Sequence, residues 1–551
     1  MKNNLVVEYK KVEAGQSQYD VYDYDDCKVV DACYVRSKYP HCLGNPLIEA
    51  LPVSFPDDVR IFEKGLEGYD YSLVKDMDCY DRAIYAFSIR DLRFILPFHK
   101  EIFLRFKATI IDSYSKRYIT FINGKPKTIY VEGKETTLEC VTDTSASEGI
   151  SGGFSLCGKS GTGKSSAMHL VLSQFPQLIK HKLKNGGYFY QLVYIFVQCS
   201  PNSNFQGLFK SICVAIDKAL GNYEPFYSVV VDKQRGGIAG RRNYVRSLIE
   251  TFGIGAIIID ECQLMNFDHI MDSSYDSLMV LANETKVAII PVGTQEARKK
   301  MFKEYKNARR IGSPINSDIC CNDRIIFNIN MCKLFRYQFT GVYTKIKGPK
   351  KTSQGIVFDN TTTELADAFY LMSKGIIAQM VSLYLMCQYE AILCDRKTPI
   401  DAKFVINIAG KYYPNIIPLL DDMETEENLK KYEEESEECF IREDMLLDEL
   451  KQKQNSKEIA DNIDGKDDFL LDMLNRIIGA INSVTDEYSK SDIKRVFYKI
   501  VDGKNVAEND EPKLLREVFS GLKVQALNEQ KKRDLNKCSP EALRKYVGVD
   551  K

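Results

Sequence analysis

The run Gly158-Lys159-Ser160-Gly161-Thr162-Gly163-Lys164-Ser165 meets every fixed position of the pattern G-x-x-x-x-G-K-[ST]. Glycines at these places let backbone N–H groups turn inward onto phosphate oxygens. A helix starting where the loop ends points its positive pole at the same anion. Lys164 is placed to reach the β- and γ-phosphates, and the Ser165 hydroxyl to coordinate Mg²⁺. Ser166 completes the candidate phosphate-contacting set. The ligand this chemistry names is ATP with Mg²⁺.

A second constellation, Ile257-Ile258-Ile259-Asp260-Glu261, is an apolar run ending in two carboxylates about 95 residues after the loop. Asp260 would hold Mg²⁺ through its water ligands, and Glu261 would polarise an attacking water. A third run, Ile290-Pro291-Val292-Gly293-Thr294, ends in a hydroxyl. Thr294 is read either as a group beside the phosphates that orients the water or as the N-cap of a following helix. Between positions 296 and 310 lie seven basic and two acidic residues. Arg309 or Arg310 is a candidate arginine finger, delivered to the γ-phosphate of a neighbouring subunit. The other reading of that stretch is a solvated basic helix face.

These residues need a scaffold that brings strand ends together. The expected strands are 154–157, 192–198, 256–260 and 286–292, each short, apolar and separated from the next by a helix-like segment. Strands of that kind form a parallel sheet covered on both faces, and open α/β sheets take their ligands at the carboxyl ends of the strands. Residues 361–410 read as helical, with a long apolar stretch from Ile376 to Leu393. The fold class is therefore α/β, with a P-loop core built on a parallel sheet, a helical lid, and extensions on both sides.

The chain has 551 residues, 44% of them hydrophobic, and a net charge of −1, so most of it can bury a core and local charge must decide any affinity for nucleic acid. The expected division is 1–140 as an N-terminal partner-docking region, 141–345 as the nucleotide core, 346–415 as the lid, and 416–551 as an acidic linker and partner-binding tail. Residues 421–449 hold 14 acidic and three basic residues, which reads as a solvated helix or flexible linker. From 490 to the end there are 15 Lys/Arg against 10 Asp/Glu. Such an end fits an arm that orders on a partner. In the N-terminal part, Asn45 to Pro52 suggests a short docked helix or turn. Arg117 to Lys125 suggests a strand entering an Asn123-Gly124 hairpin turn. Cys27, Cys33, His41 and Cys42 match no common zinc spacing. No apolar run approaches the ~20 residues needed to span a bilayer. Met1-Lys2-Asn3-Asn4 shows no secretory leader, so a cytoplasmic protein with reduced thiols and no membrane partner is expected.

The sum of these motifs resembles the AAA+ ATPases. Within them it is similar to the TnsC/TniB-type regulators of DNA transposition. The nucleotide motifs, Val292-Gly293-Thr294 with Ala297-Arg298, and Ala308-Arg309-Arg310 carry the broad likeness. Asn45-Pro46-Leu47-Ile48-Glu49-Ala50-Leu51-Pro52 and Leu371-Met372-Ser373-Lys374-Gly375 narrow it. The resemblance implies a homo-oligomeric ring or filament on double-stranded DNA that links a target-selector protein to transposase subunits, with ATP hydrolysis limiting the bound state. Many AAA+ lids carry an Arg soon after a Gly at the start of a lid helix. Here that place reads Gly375-Ile376-Ile377-Ala378-Gln379, which puts nucleotide sensing by the lid in doubt.

Sequence-independent DNA binding requires cations that meet phosphates rather than base edges. The candidate segment is Lys233 to Arg246, with Lys233, Arg235, Arg241, Arg242 and Arg246 as contacts. Lys210 and Lys218 are second choices. An ordinary loop with solvated charge remains the other reading. Two functional alternatives stay open. One is a replication-initiator or clamp-loader-like ATPase, and the other a signalling NTPase that acts through protein contacts alone.

Overall fold

The computed structural model describes residues 5–11, 18–19, 29–52, 63–144, 152–199, 205–264, 274–295, 297–298, 314–352, 355–421, 426–464, 468–482, 488, 490–501 and 513–523. Two compact units divide the chain, Met1–Leu447 and Asp448–Lys551.

The first unit is built on a five-stranded parallel sheet. Its labelled elements in chain order are β1 (Leu156–Cys157), α1 (Lys164–Leu172), β2 (Tyr194–Gln198), α2 (Phe205–Ala219), α3 (Gly237–Phe252), β3 (Ala256–Asp260), α4 (Ser274–Thr285), β4 (Ala288–Gly293) and β5 (Ile315–Asn316). The strand order is β5-β1-β4-β3-β2. Every residue of β3 and β4 is buried. That explains why both read as continuous apolar runs rather than alternating ones: helices cover both faces of the sheet. The order sets β4 between the P-loop strand and the Asp-Glu strand, so three strand ends that carry candidate chemistry lie side by side. β5 is two residues long and too short to announce itself by periodicity.

Described parts of the first 140 residues share this core. Leu47, Ile102, Phe106 and Tyr114 are buried in the same cluster as Leu156, Ile258 and Ile290. The helix Phe98–Ser115 packs on α1 and alongside β4 and β5. At its C-terminal end the Ser113 hydroxyl donates to the carbonyls of Gly255 and Lys286, at 2.9 and 2.8 Å. Tyr114 donates its hydroxyl to Gly253 O at 2.9 Å. The start of β3 and the turn before β4 are thus held by side chains from the N-terminal region. Asn45 caps the buried turn Pro46–Glu49 and donates its amide to the carbonyls of Tyr114 and Arg117. Val29–Asp31 adds a parallel strand to the hairpin Leu178–Lys182/Tyr188–Leu192.

One local expectation is corrected. The strand Tyr118–Phe121 exists, but Asn123-Gly124 does not close a hairpin onto it. Tyr118–Phe121 pairs with Cys140–Asp143, and a second hairpin, Lys127–Val131 with Lys134–Leu138, intervenes. Its tip is Glu132-Gly133, where φ is +52° and +70°, the left-handed pair that a tight hairpin turn demands.

Beyond the sheet come α5 (Asn360–Ser373), α6 (Ile377–Leu393) and α7 (Ala402–Tyr412), then the long α8 (Glu426–Asp464). Eleven residues of α6 are buried. No single described helix is long and apolar enough to cross a membrane. α5 and α6 have the length and composition only as a pair, and they are bent by 116°. The second unit has a core of its own, with Ile477, Ile493, Phe497, Leu514 and Val518 buried together.

Candidate nucleotide site

β1 ends in the glycine loop. Gly161 and Gly163 stand at φ +77° and +88°, left-handed values that any L side chain resists. Close approach matters as much as φ. A Cβ on Gly158 would stand 2.0 Å from Ser317 Oγ, and one on Gly161 would stand 2.9 Å from Ile376 Cγ2. The loop is therefore pressed between the end of β5 and the start of the lid helix. Lys159 N–H donates to Asp318 Oδ1 at 2.6 Å, and Thr162 and Ser317 share a hydrogen bond of 2.7 Å between their hydroxyls. Gly158 N–H donates to Gly293 O at 3.2 Å, which ties the loop to the end of β4.

Lys164 opens α1 and is 6% exposed. Its Nζ donates to the carbonyls of Gly158 and Lys159 at 3.1 and 2.7 Å, so the ammonium lies over the loop. Asp260, at the end of β3, is 3% exposed and bonds the Ser165 side chain. Burial raises its carboxyl pKa, against the lowering pull of Ser165, the Glu261 N–H and the Lys164 charge. The next residue, Glu261, is held at φ +53°. Its N–H donates to Asp260 Oδ1 at 2.9 Å, and Gln263 Nε2 donates to its carboxylate. Burial first, and the Asp260 charge second, raise the Glu261 pKa.

Lys164, Ser165 and Glu261 face a cavity of about 330 Å³, with Asp260 bonded to Ser165. Ser160, Gly161, Gly163, Lys164, Ser165, Ser166 and Glu261 form one side. The lid helix contributes Ile377, Ala378, Val381 and Ser382, and the N-terminal region contributes Arg90, Leu96 and His99. Ala378 N–H donates to Gly161 O at 3.0 Å, so the first turn of α6 is fastened to the loop. His99 is buried, its pKa pushed down to about 4 by desolvation, which leaves a neutral imidazole beside the apolar part of the cavity.

The residues fit a nucleotide with Mg²⁺. Left-handed glycines and a buried Lys suit phosphate, and a hydroxyl bonded to a buried carboxylate is a hard oxygen pair suited to Mg²⁺. The cation, when bound, supplies positive charge to phosphate oxygens and to two carboxylates that burial disfavours as anions.

The other sequence-derived candidates fall out as follows. Thr294 is 4% exposed, and its Oγ1 accepts the Ala297 N–H at 3.2 Å. It caps the next turn and does not line the cavity. Arg309 and Arg310 lie outside the described residues. Lys233 and Arg235 are exposed beside the left-handed Gly236-Gly237 turn that starts α3. Arg241 pairs with Asp232 at 3.3 Å, and Arg246 pairs with Glu250 and Glu284 at 3.0 and 3.2 Å. Arg242 is half-buried, its Nε without a hydrogen-bond partner among the described residues. Lys210, a second choice, pairs with Asp232 at 2.5 Å. No group of three His, Cys, Asp or Glu side chains suited to a metal ion occurs among the described residues, and Cys27 lies outside them.

Sequence reasoning missed Gln263, Ser317, Asp318, Arg90 and His99. The first follows Glu261 by two positions and carries no signal of its own. The rest reach the site from far away in the chain, Arg90 and His99 from helical turns of the N-terminal region and Ser317 and Asp318 from just after β5.

Residues 151–301 match the family model of the AAA domain. The match spans β1, the P-loop, β2, β3 and β4, so these residues form an AAA-type P-loop domain on an α/β fold with extensions. No curated protein matches the chain.

Proposed function

We propose that the chain hydrolyses ATP at the P-loop and uses the nucleotide state to control a homo-oligomer on double-stranded DNA, as a regulator of transposition. The observation that carries the hydrolytic part is the convergence of Lys164, Ser165 and Glu261 on one cavity, with buried Asp260 bonded to Ser165. Glu261 is the general base in this reading. Asp260 and Ser165 hold the Mg²⁺ environment, and Lys164 carries the charge that the phosphates require. Described α6 has no Lys or Arg in its sequence. The cation that completes the site would therefore come from elsewhere, and Arg309 or Arg310 of a neighbouring subunit is the candidate.

The DNA-binding part rests on Lys233 and Arg235, which are exposed, and on Arg241 and Arg246. The half-exposed ion pairs of Arg246 are worth little individually, so phosphates can replace its carboxylate partners at small cost. The transposition role, with a target selector and transposase subunits as partners, rests on the resemblance carried by Asn45–Pro52 and Leu371–Gly375. The test is binding to a random-sequence duplex, with ATP or ADP, scanned against salt. Binding that requires ATP and falls steeply with salt is expected. No binding at low salt with ATP sinks the DNA reading and leaves a signalling NTPase as the better account.

A further inference from the structure

The acidic stretch is a helix with one buried face. On α8, Tyr432, Cys439 and Glu443 are 1%, 7% and 3% exposed, with Ser436 half-buried between them. Steps of four, three and four residues put all of them on one face of a helix. That face is turned to the nucleotide site. The Tyr432 hydroxyl lies 3.5 Å from where a Cβ on Gly161 would stand. Gln379, in the first turn of α6, donates to Tyr432 and Ser436 at 3.3 and 3.4 Å. A second cavity, of about 350 Å³, is bounded by Ser160, Gly161 and Glu261 on one side and by Tyr432, Glu437 and Glu443 on the other.

The helix is fastened there by one cation. Arg90 donates to Glu443 at 2.6 Å and to Asp444 at 2.5 Å. Its guanidinium carbon lies 4.3 Å from the centre of the Phe440 ring. The Tyr413 hydroxyl donates to the other Glu443 oxygen at 2.7 Å. Arg90 and Phe440 also line the nucleotide cavity. The seated helix thus lines the nucleotide cavity with Phe440 and lays Glu437 and Glu443 along the adjoining cavity, across from Gly161 and Glu261.

We propose that the stretch from Tyr432 to Asp444 is an autoinhibitory plug over the nucleotide site, latched by Arg90, that lifts for nucleotide to enter and leave. The inference rests on nucleotide binding at the P-loop and adds the control of access to it. The test uses the full chain, a fluorescent ADP analogue and stopped-flow displacement. Glu443→Gln and Asp444→Asn together are expected to speed release about tenfold, as loss of two charge-assisted bonds would. In an Arg90→Ala background the same pair of substitutions should add almost nothing, because the latch is already open. Hydrogen exchange gives the second readout: Glu443→Gln should lose protection over residues 432–444 while residues 256–260 keep theirs. Release rates equal to wild type overturn the plug, as does a fully additive effect in the Arg90→Ala background. A wild-type chain that binds no nucleotide at all overturns the P-loop reading and the plug together, whereas normal binding with unaltered release overturns the plug alone.

Discussion

Glu261 occupies a left-handed backbone conformation, φ +53°, which costs a residue with a side chain about 1 kcal/mol or more. The strain is held by the Asp260 carboxylate below it and Gln263 beside it, and it turns the carboxylate into the cavity. Two consequences follow for Glu261→Gln. ATP binding should persist while hydrolysis falls about 100-fold or more, whereas Lys164→Ala should lose binding itself; titration with a fluorescent nucleotide and a phosphate-release assay separate the two. The second consequence concerns stability. A carboxyl whose folded pKa is raised favours the folded state when protonated. That contribution is full below the ordinary value of 4.5 and is lost as pH rises through the folded pKa. At neutral pH the ionised Glu261 is therefore a cost. Glu261→Gln should stabilise the nucleotide-free chain by ~0.5–1 kcal/mol, a figure discounted for partial solvent access. Thermal denaturation should show that gain shrinking as pH falls toward 4.5. The loop and the Asp-Glu pair were legible because each is a contiguous run. Ser317 and Asp318 were not, since their bonds to Thr162 and Lys159 join residues more than 150 positions apart.

At the scale of elements, the lid depends on a single glycine. Gly375 has φ +79°, and a Cβ there would stand 2.5 Å from Cys320 O and 2.6 Å from Cys321 Cα, both backbone. Gly375→Ala must push the first turn of α6 away, and with it the Ala378–Gly161 bond. The expected result is weaker nucleotide binding with the rest of the fold intact, seen as a raised dissociation constant alongside an unaltered far-UV spectrum. Leu47 shows a similar dependence in the N-terminal region. It is fully buried in the turn Pro46–Glu49, and its carbonyl accepts from Gln191 at 2.9 Å. Leu47→Ala should cost about 2–5 kcal/mol, read by chemical denaturation. Sequence periodicity placed the parallel strands and the lid helices within a few residues, because continuous apolar runs of strand or helix length are strong signals. The buried face of α8 was not legible for a physical reason. The buried stripe there is Tyr432, Ser436, Cys439 and Glu443, and only one of these is a large ring, so 14 acidic residues dominate the composition between 421 and 449. The hairpin closing at Glu132-Gly133 rather than Asn123-Gly124 is a contest between two turn signals, which cross-strand pairing of Lys127–Val131 with Lys134–Leu138 decides.

For the whole molecule, the division between Met1–Leu447 and Asp448–Lys551 gathers the N-terminal region, the P-loop core, the lid and the first half of α8 into one unit. The lining of the candidate nucleotide cavity thus comes from segments spread across that unit, from Arg90 to Phe440. Such an arrangement suits a protein whose shape answers to its nucleotide. If the assembled form holds DNA, Lys233→Ala or Arg235→Ala should weaken binding to all duplexes alike and lower the salt slope by about one each. Arg246→Ala should have a smaller effect, because that guanidinium is already shared by Glu250 and Glu284. The most direct test of the account is electron microscopy of the Glu261→Gln chain with ATP and a long random-sequence duplex. The account predicts ordered rings or filaments seated along the DNA with ATP and their absence with Lys164→Ala. Nucleotide-bound single copies, with bare duplex beside them, would contradict it.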